Sequence, residues 1–164
     1  RDECAPLAGL TFRPELRPHS TQSTSVATPA TRQPGTTASG LLLKALQNGL
    51  RGQCIAAQDL FDAMYASLAD RSTRKLIDHL ARLDVLLIDE FGYLNLRPEQ
   101  CNAFFKLMEQ RYRRHSTIIT TNLDYSEWHN FLGNKAMVEA LLSRVRHFCH
   151  TVRIDGPALR EPQG

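Results

Sequence analysis

The 164-residue sequence has no apolar run near the roughly 18 residues needed to cross a bilayer, so no membrane association is expected. Its N-terminus lacks the basic, apolar and small-residue order of a secretory leader, and it begins at Arg1 without a methionine, as a fragment or processed product does. No internal repeat, helix-turn-helix pattern or Ser-His-acid motif is present. The four cysteines (Cys4, Cys54, Cys101, Cys149) are scattered, and His147, Cys149 and His150 do not have the spacing of a zinc site. Reduced thiols and a cytoplasmic location are the expectation.

What is present suits one globular domain. Apolar residues make up 42% and charged residues 23%, which is enough to build an interior. The formal charge of +3, carried largely by arginines, permits contact with phosphates without requiring it.

Residues 1–40 form a segment of low complexity, crowded with Ser, Thr and Pro from Pro14 to Gly40, and read as loop or disorder. From Leu41 the pattern turns periodic and stays so to about residue 160, with 161–164 as a tail. Leu41, Leu42, Ala45 and Leu46 have helical spacing before an Asn48-Gly49 stop. A short strand is expected over Gln53–Ala56, a helix carrying Leu60, Phe61, Met64 and Leu68, and another after Ser72 carrying Leu76, Ile77, Leu80 and Leu83. Val85 to Ile88 are four consecutive apolar residues, as in a strand buried on both faces. A helix follows from Pro98, burying Cys101, Phe104, Phe105, Met108 and Tyr112, with Arg111, Arg113 and Arg114 at its cation-favouring end. Thr117–Thr121 is β-branched and reads as a strand, Lys135–His147 as a helix, and Thr151–Ile154 as a final strand. Strands alternating with amphipathic helices give an α/β domain with a mostly parallel sheet.

Ligands of such sheets bind beyond the carboxyl ends of the strands, and Asp89, Glu90 and Asn122 each stand at such an end. An apolar strand ending in Asp-Glu matches the Walker B arrangement, in which the aspartate holds Mg²⁺ through water and the glutamate polarises an attacking water. Two solvated acids at a strand end fit the bare pattern equally well. Asn122 is a candidate for contacting a γ-phosphate; by itself an Asn after a strand is a turn former. Arg144, opposite the apolar stripe of its helix, could reach a neighbouring subunit's nucleotide, and otherwise is an ordinary surface arginine.

The stretch "LARLDVLLIDEFGYLNLRPEQCNAFFKLMEQRYRRHSTIITTNLDYSEWHNFLG" resembles the central and C-terminal part of the IstB-like ATP-binding proteins. These are transposase helpers related to the DnaC helicase loaders within the AAA+ ATPases, and the match runs from about Gly40 to Arg160. The resemblance implies a P-loop NTPase of AAA+ type, a three-layer sandwich with strand order 5-1-4-3-2. It implies binding of ATP and Mg²⁺, assembly of a homo-oligomer on DNA, and service to a transposase. On this resemblance Asp89 and Glu90 match Walker B, with Asp89 as the metal residue. Asn122 matches sensor 1, and Arg144 the arginine that closes a neighbour's site.

The same resemblance requires a glycine-rich loop ending in Gly-Lys-Thr or Gly-Lys-Ser, whose N–H groups and lysine cradle the phosphates. Here stands "RQPGTTASG". Counting back from the helix puts the lysine position near Pro34 and the hydroxyl position near Gly35. Lys44 lies too far along the helix to substitute, and Thr36 or Thr37 remains as a hydroxyl donor. The preceding central strand is also missing. Only Ser23–Thr28 could fill its place, and it is too polar, so a loosely held edge near Thr151–Ile154 is expected, and the AAA+ core over 41–160 is read as incomplete. A segment from about Arg17 to Pro34 translated out of the ancestral frame would account for both losses.

Overall fold

The computed structural model describes residues 6–12, 34–92, 94–147 and 149–155. Three parallel strands form its most regular part: β2 (Gly52–Ala56), β3 (Val85–Asp89) and β4 (Ser116–Thr121). Each is reached through helices, α2 (Ala57–Ala69) and α3 (Thr73–Ala81) before β3 and α4 (Pro98–Arg111) before β4. Past β4 come α5 (Trp128–Leu132), α6 (Lys135–His147) and β5 (Cys149–Asp155).

β3 lies between two helical layers, which is why its first four residues are apolar without alternation. Leu86 and Ile88, with Ile119, face a core shared with α2 to α6, while Val85, Leu87 and Ile118 face α1 (Pro34–Gln47). The larger core centres on Phe61, Phe91, Phe104 and Trp128, all with no exposed surface. Burying a side chain of this kind is worth about 1.5–3 kcal/mol, so this face dominates stability.

With Pro6–Phe12 as β1, the sheet order is β2-β3-β4-β1-β5, the order that the resemblance implies read from its other edge. The expected gap is filled from an unexpected place. Pro6–Phe12 forms β1 between β4 and β5, pairing from Ala8↔Thr121 to Phe12↔Thr117 on one side and from Pro6↔Asp155 to Phe12↔Cys149 on the other. Both pairings are antiparallel, so the first-strand position is occupied but reversed. Ser23–Thr28 and most of the segment from Arg17 to Pro34 lie outside the described residues. The expected loose edge near Thr151–Ile154 is corrected too, because β5 pairs with β1 along seven residues.

Helix α1 starts at Pro34, not Leu41, so Thr36 and Thr37 lie in a helix rather than a loop. Proline suits a first turn, where its missing N–H would have no partner. With that start the inward stripe is Ala38, Leu42 and Ala45, and Leu41 and Leu46 face outward at 41% and 42% exposure, contrary to the sequence pattern. The other end of α1 presses on β2: a Cβ at Gly52 would meet Leu42 Cδ1 at 2.5 Å. In α2 the buried position is Ser67 and not Leu68, because the Ser67 hydroxyl donates to Met64 O at 2.7 Å and lies 2.9 Å from Thr73 Oγ1.

Where β2 and β3 begin, Asp84 ties the elements together. Its Oδ2 accepts from Arg51 N at 2.8 Å and Arg51 Nε at 3.3 Å, and His115 Nδ1 lies 3.9 Å from Oδ1. The Arg51 backbone N–H, and then the Arg51 guanidinium and His115, hold this carboxyl below its usual range, against an opposing effect of burial. A depressed folded-state pKa contributes stability above the unfolded value, near 3.9, and loses it as pH falls through the folded one. Asp84→Asn should therefore lower the melting temperature at pH 7, and that deficit should shrink progressively in acid below about pH 4, vanishing only once the pH has fallen through the depressed folded-state value and the aspartate is uncharged like the asparagine. Equal deficits at both pH values would refute the assignment.

Among the described residues no helix is long and apolar enough to cross a membrane, and no group of three or more metal-binding side chains occurs. Cys54 and Cys101 are free thiols.

Candidate functional site

The parallel register Ile88↔Ile119 brings the end of β3 beside the end of β4. Asp89, half-buried, accepts a hydrogen bond at Oδ1 from the Thr120 hydroxyl. The same Thr120 Oγ1 accepts the Glu90 backbone N–H at 2.9 Å, and Thr120 O accepts that of Phe91 at 2.8 Å. Thr121 continues the clamp by donating its hydroxyl to Phe91 O. Two threonines of β4 thus fix the turn that carries both acids.

That turn is strained. Glu90 has φ of 58°, in the left-handed region, which costs a residue with a Cβ of order 1 kcal/mol or more. The conformation exposes Glu90 to solvent and sends Phe91 into the core. Gly92 follows at φ of 150°, and a Cβ there would lie 2.9 Å from Asn122 Oδ1 and 3.0 Å from Leu123 Cγ. Asn122, exposed just after β4, therefore faces the loop leaving β3. Asp89 and Glu90 at the end of β3 and Asn122 just after β4 thus stand at neighbouring strand ends. The charge of Asp89 also reaches across β2: the Cys54 thiol is pushed up, first by burial and then by this carboxylate.

The phosphate side is different. Because Leu42 packs at the start of β2, the opposite end of α1, Pro34 to Thr37, points toward the carboxyl ends of the strands. Helix N–H groups at that end favour an anion. Pro34 and Gly35, the counted lysine and hydroxyl positions, are the first two residues of the helix. From Pro34 to Leu43 there is no lysine or arginine, and Lys44 is exposed in the last turn at the far end. Thr37 is half-buried, and its Oγ1 is buried without a hydrogen-bond partner among the described residues, so a ligand oxygen or water would satisfy it. Thr36 lies one position earlier in the same turn.

The direction of β1 also differs from that of the three parallel strands. A parallel central strand would end beside Asp89 and lead directly into a phosphate-binding turn. Here β1 ends at Phe12, level with Thr117, at the opposite end of the sheet. Metal-side carboxylates thus fit a hydrated divalent cation, whereas the first turn of α1 lacks the cation, and one of the N–H donors, that a triphosphate needs.

Arg144 is not part of this cluster. It is exposed on α6, with its guanidinium carbon 5.8 Å from the Tyr112 ring centroid. Tyr112 ends α4, at the start of β4, so Arg144 is remote from the Asp89 of its own chain. Arg111, read from the sequence as one of three arginines at a helix end, is fully buried, because its guanidinium caps carbonyls of α3 and β4. The residue that pattern reading missed is Thr120; its signal was the "TTN" run at a strand end paired with Asp-Glu.

Comparison with known proteins agrees with this geometry. Over residues 33–163 the chain matches a family model described as IstB-like ATP binding protein. It is 32% identical to the "Insertion sequence IS232 putative ATP-binding protein" of Bacillus thuringiensis subsp. berliner, over 65% of this chain and 42% of that protein. It is 28% identical to the "Insertion sequence IS21 putative ATP-binding protein" of Pseudomonas aeruginosa, over 72% of this chain and 44% of that protein. It thus spans less than half the length of these relatives. In fold it is similar to DnaI, with a TM-score of 0.57, 17% identity, and coverage of 67% of this chain and 61% of that one. It is similar also to DnaA bound to AMPPCP and single-stranded DNA, with a TM-score of 0.56, 17% identity, and coverage of 64% and 33%. The apolar β3 ending in Asp89-Glu90, the strand order of a P-loop NTPase and a family match over most of the residues lead to one conclusion: the chain belongs to the IstB-like ATP-binding protein family.

Proposed function

We propose that this chain acts in the cytoplasm as an ATP-binding helper of a transposase, working on DNA as a homo-oligomer, with an impaired hold on the nucleotide. Asp89 would hold Mg²⁺ through water, and the bound ion would offset the charge of the triphosphate. Glu90 would orient a water, Asn122 would face the terminal phosphate, and Thr36 or Thr37 would offer a hydroxyl. Arg144, remote from the Asp89 of its own chain, would serve a neighbouring subunit's site.

The observation that carries the impairment is the absence of any cation from Pro34 to Leu43 at the helix end facing Asp89. A charge-assisted hydrogen bond is worth about 1.5–3 kcal/mol, so losing the lysine's contacts weakens binding roughly 10- to 100-fold each. Titration of the chain with Mg²⁺-ATP should show no saturation below about 1 mM, equivalent to about −4 kcal/mol. Micromolar affinity abolished by Asp89→Ala would overturn the impairment and mean that another group replaces the lysine.

The reversed β1 favours a stronger version, in which the chain is a nucleotide-incompetent remnant that still binds DNA or a partner. Affinity for DNA that is identical with and without Mg²⁺-ATP supports that version, and affinity that rises with nucleotide opposes it.

A further inference from the structure

At the amino-terminal ends of the parallel strands, far from Asp89, two clefts of about 490 and 340 Å³ adjoin, sharing Asp78 and Arg82 in their walls. Four permanent cations, Arg51, Lys75, Arg82 and Arg114, line them, against the single carboxylate of Asp78. Asp78 is already engaged by Arg74 at 3.7 Å, and the nearby Asp84 by Arg51 at 3.3 Å. Lys75, Arg82 and Arg114 are exposed and form no ion pair among the described residues.

The cations come from separate parts of the chain, and the fold fixes their grouping. Arg51 donates from its guanidinium to Arg82 O at 3.0 Å, holding the loop before β2 against the end of α3. Arg114 follows α4, with Arg114 N–H donating to Arg111 O at 3.0 Å, and Arg111 is locked to Leu80 O and Leu83 O of the same region. A surplus of positive charge is therefore held on a rigid, concave surface.

We propose that this double cleft seats the sugar-phosphate backbone of duplex DNA. Guanidinium groups match phosphate oxygens in geometry, and three of the four cations are arginines. No Phe, Tyr or Trp lines either cleft, so there is no platform on which unpaired bases could stack, which favours a duplex over a single strand. Contacts of this kind position DNA without reading its sequence. The surface lies at the opposite end of the sheet from the acids of β3, so it needs no nucleotide. The inference rests on the proposed partnership with DNA and assigns it a place.

The test is fluorescence anisotropy of a labelled duplex of arbitrary sequence, titrated with the full chain across a salt series. The variant combines Lys75→Gln, Arg82→Gln and Arg114→Gln, all exposed, with unchanged thermal melting as the check on folding. Each lost phosphate contact lowers the slope of log affinity against log salt by about 0.9, so the slope should fall by about 2–3 and low-salt affinity by tenfold or more. A control of equal charge loss, Lys44→Gln, Lys106→Gln and Lys135→Gln, should bind like the parent. Equal losses in variant and control would overturn the assignment of this surface. A parent chain that binds no duplex would refute the DNA partnership itself. Tighter binding of the matching single strand would overturn the duplex, and displacement by polyglutamate at equal charge would transfer the cleft to an acidic polypeptide. Failure of the Mg²⁺-ATP titration leaves all of these readings intact.

Discussion

Arg111→Met is expected to destabilise the protein by about 3–5 kcal/mol, the largest effect of any single charged residue here. The side chain has no exposed surface, yet every nitrogen of its guanidinium is engaged. Nε donates to Thr117 Oγ1 at 2.9 Å, one terminal nitrogen donates to Leu80 O at 2.6 Å and Leu83 O at 2.8 Å, and the other donates to Ser116 O. Leu80 lies in the last turn of α3 and Leu83 just past its end, where carbonyls have no partner within the helix. Burial lowers the Arg111 pKa to about 10, opposed by the Asp84 charge, so the group is still a cation at neutral pH. Methionine fills much of the space but leaves four acceptors unpaired, at about 1–3 kcal/mol for each one that water cannot reach.

Urea unfolding is the measurement. With a slope of about 1–3 kcal/mol/M, the midpoint should fall by roughly 2 M. Arg111→Lys should recover less than half, because one ammonium cannot span acceptors on α3 and β4 together. A methionine variant within about 0.5 M of the parent would mean that water satisfies those carbonyls, and that the arginine is not the tie proposed.

Phe91→Ala should cost a comparable amount, about 3–5 kcal/mol, and should also disturb the candidate site. Phe91 is fully buried, with ring centroids 4.8 Å from Trp128, 4.9 Å from Phe131 and 5.2 Å from Phe104. Truncation leaves a void among rigid rings that cannot collapse to fill it. The same ring anchors the turn in which Glu90 adopts φ of 58°. Without that anchor, Glu90 can relax to an ordinary conformation and leave the turn that Thr120 holds. Hydrogen exchange at the Glu90 and Phe91 amides, which Thr120 now holds, should accelerate more than the global loss of stability predicts. Acceleration equal to the global change would show that the turn does not depend on the ring.

Much of the candidate site was legible in the residues. Four apolar positions followed by Asp-Glu, and a β-branched run followed by Asn, place Asp89, Glu90 and Asn122 at neighbouring strand ends, because burial on both faces permits few other arrangements. Thr120 was less visible, since a threonine in a strand reads as a β-former until the register sets its hydroxyl beside a carboxylate. Which arginine of Arg111, Arg113 and Arg114 is buried was not legible either. Three close cations look alike in a pattern, and only the packing of α4 on α3 and β4 selects one of them.

The sequence alone determined the alternation of helices and strands, the family of the chain and the absence of lysine and arginine from Pro34 to Leu43, because these are properties of local composition and spacing. Tertiary structure alone decided that Pro6–Phe12 takes the interior place between β4 and β5 and runs antiparallel to both neighbours. Backbone hydrogen bonds of a vacant slot can be satisfied by a strand of either direction. Which segment arrives, and which way it points, depends on partners more than a hundred residues away and not on any pattern within the segment.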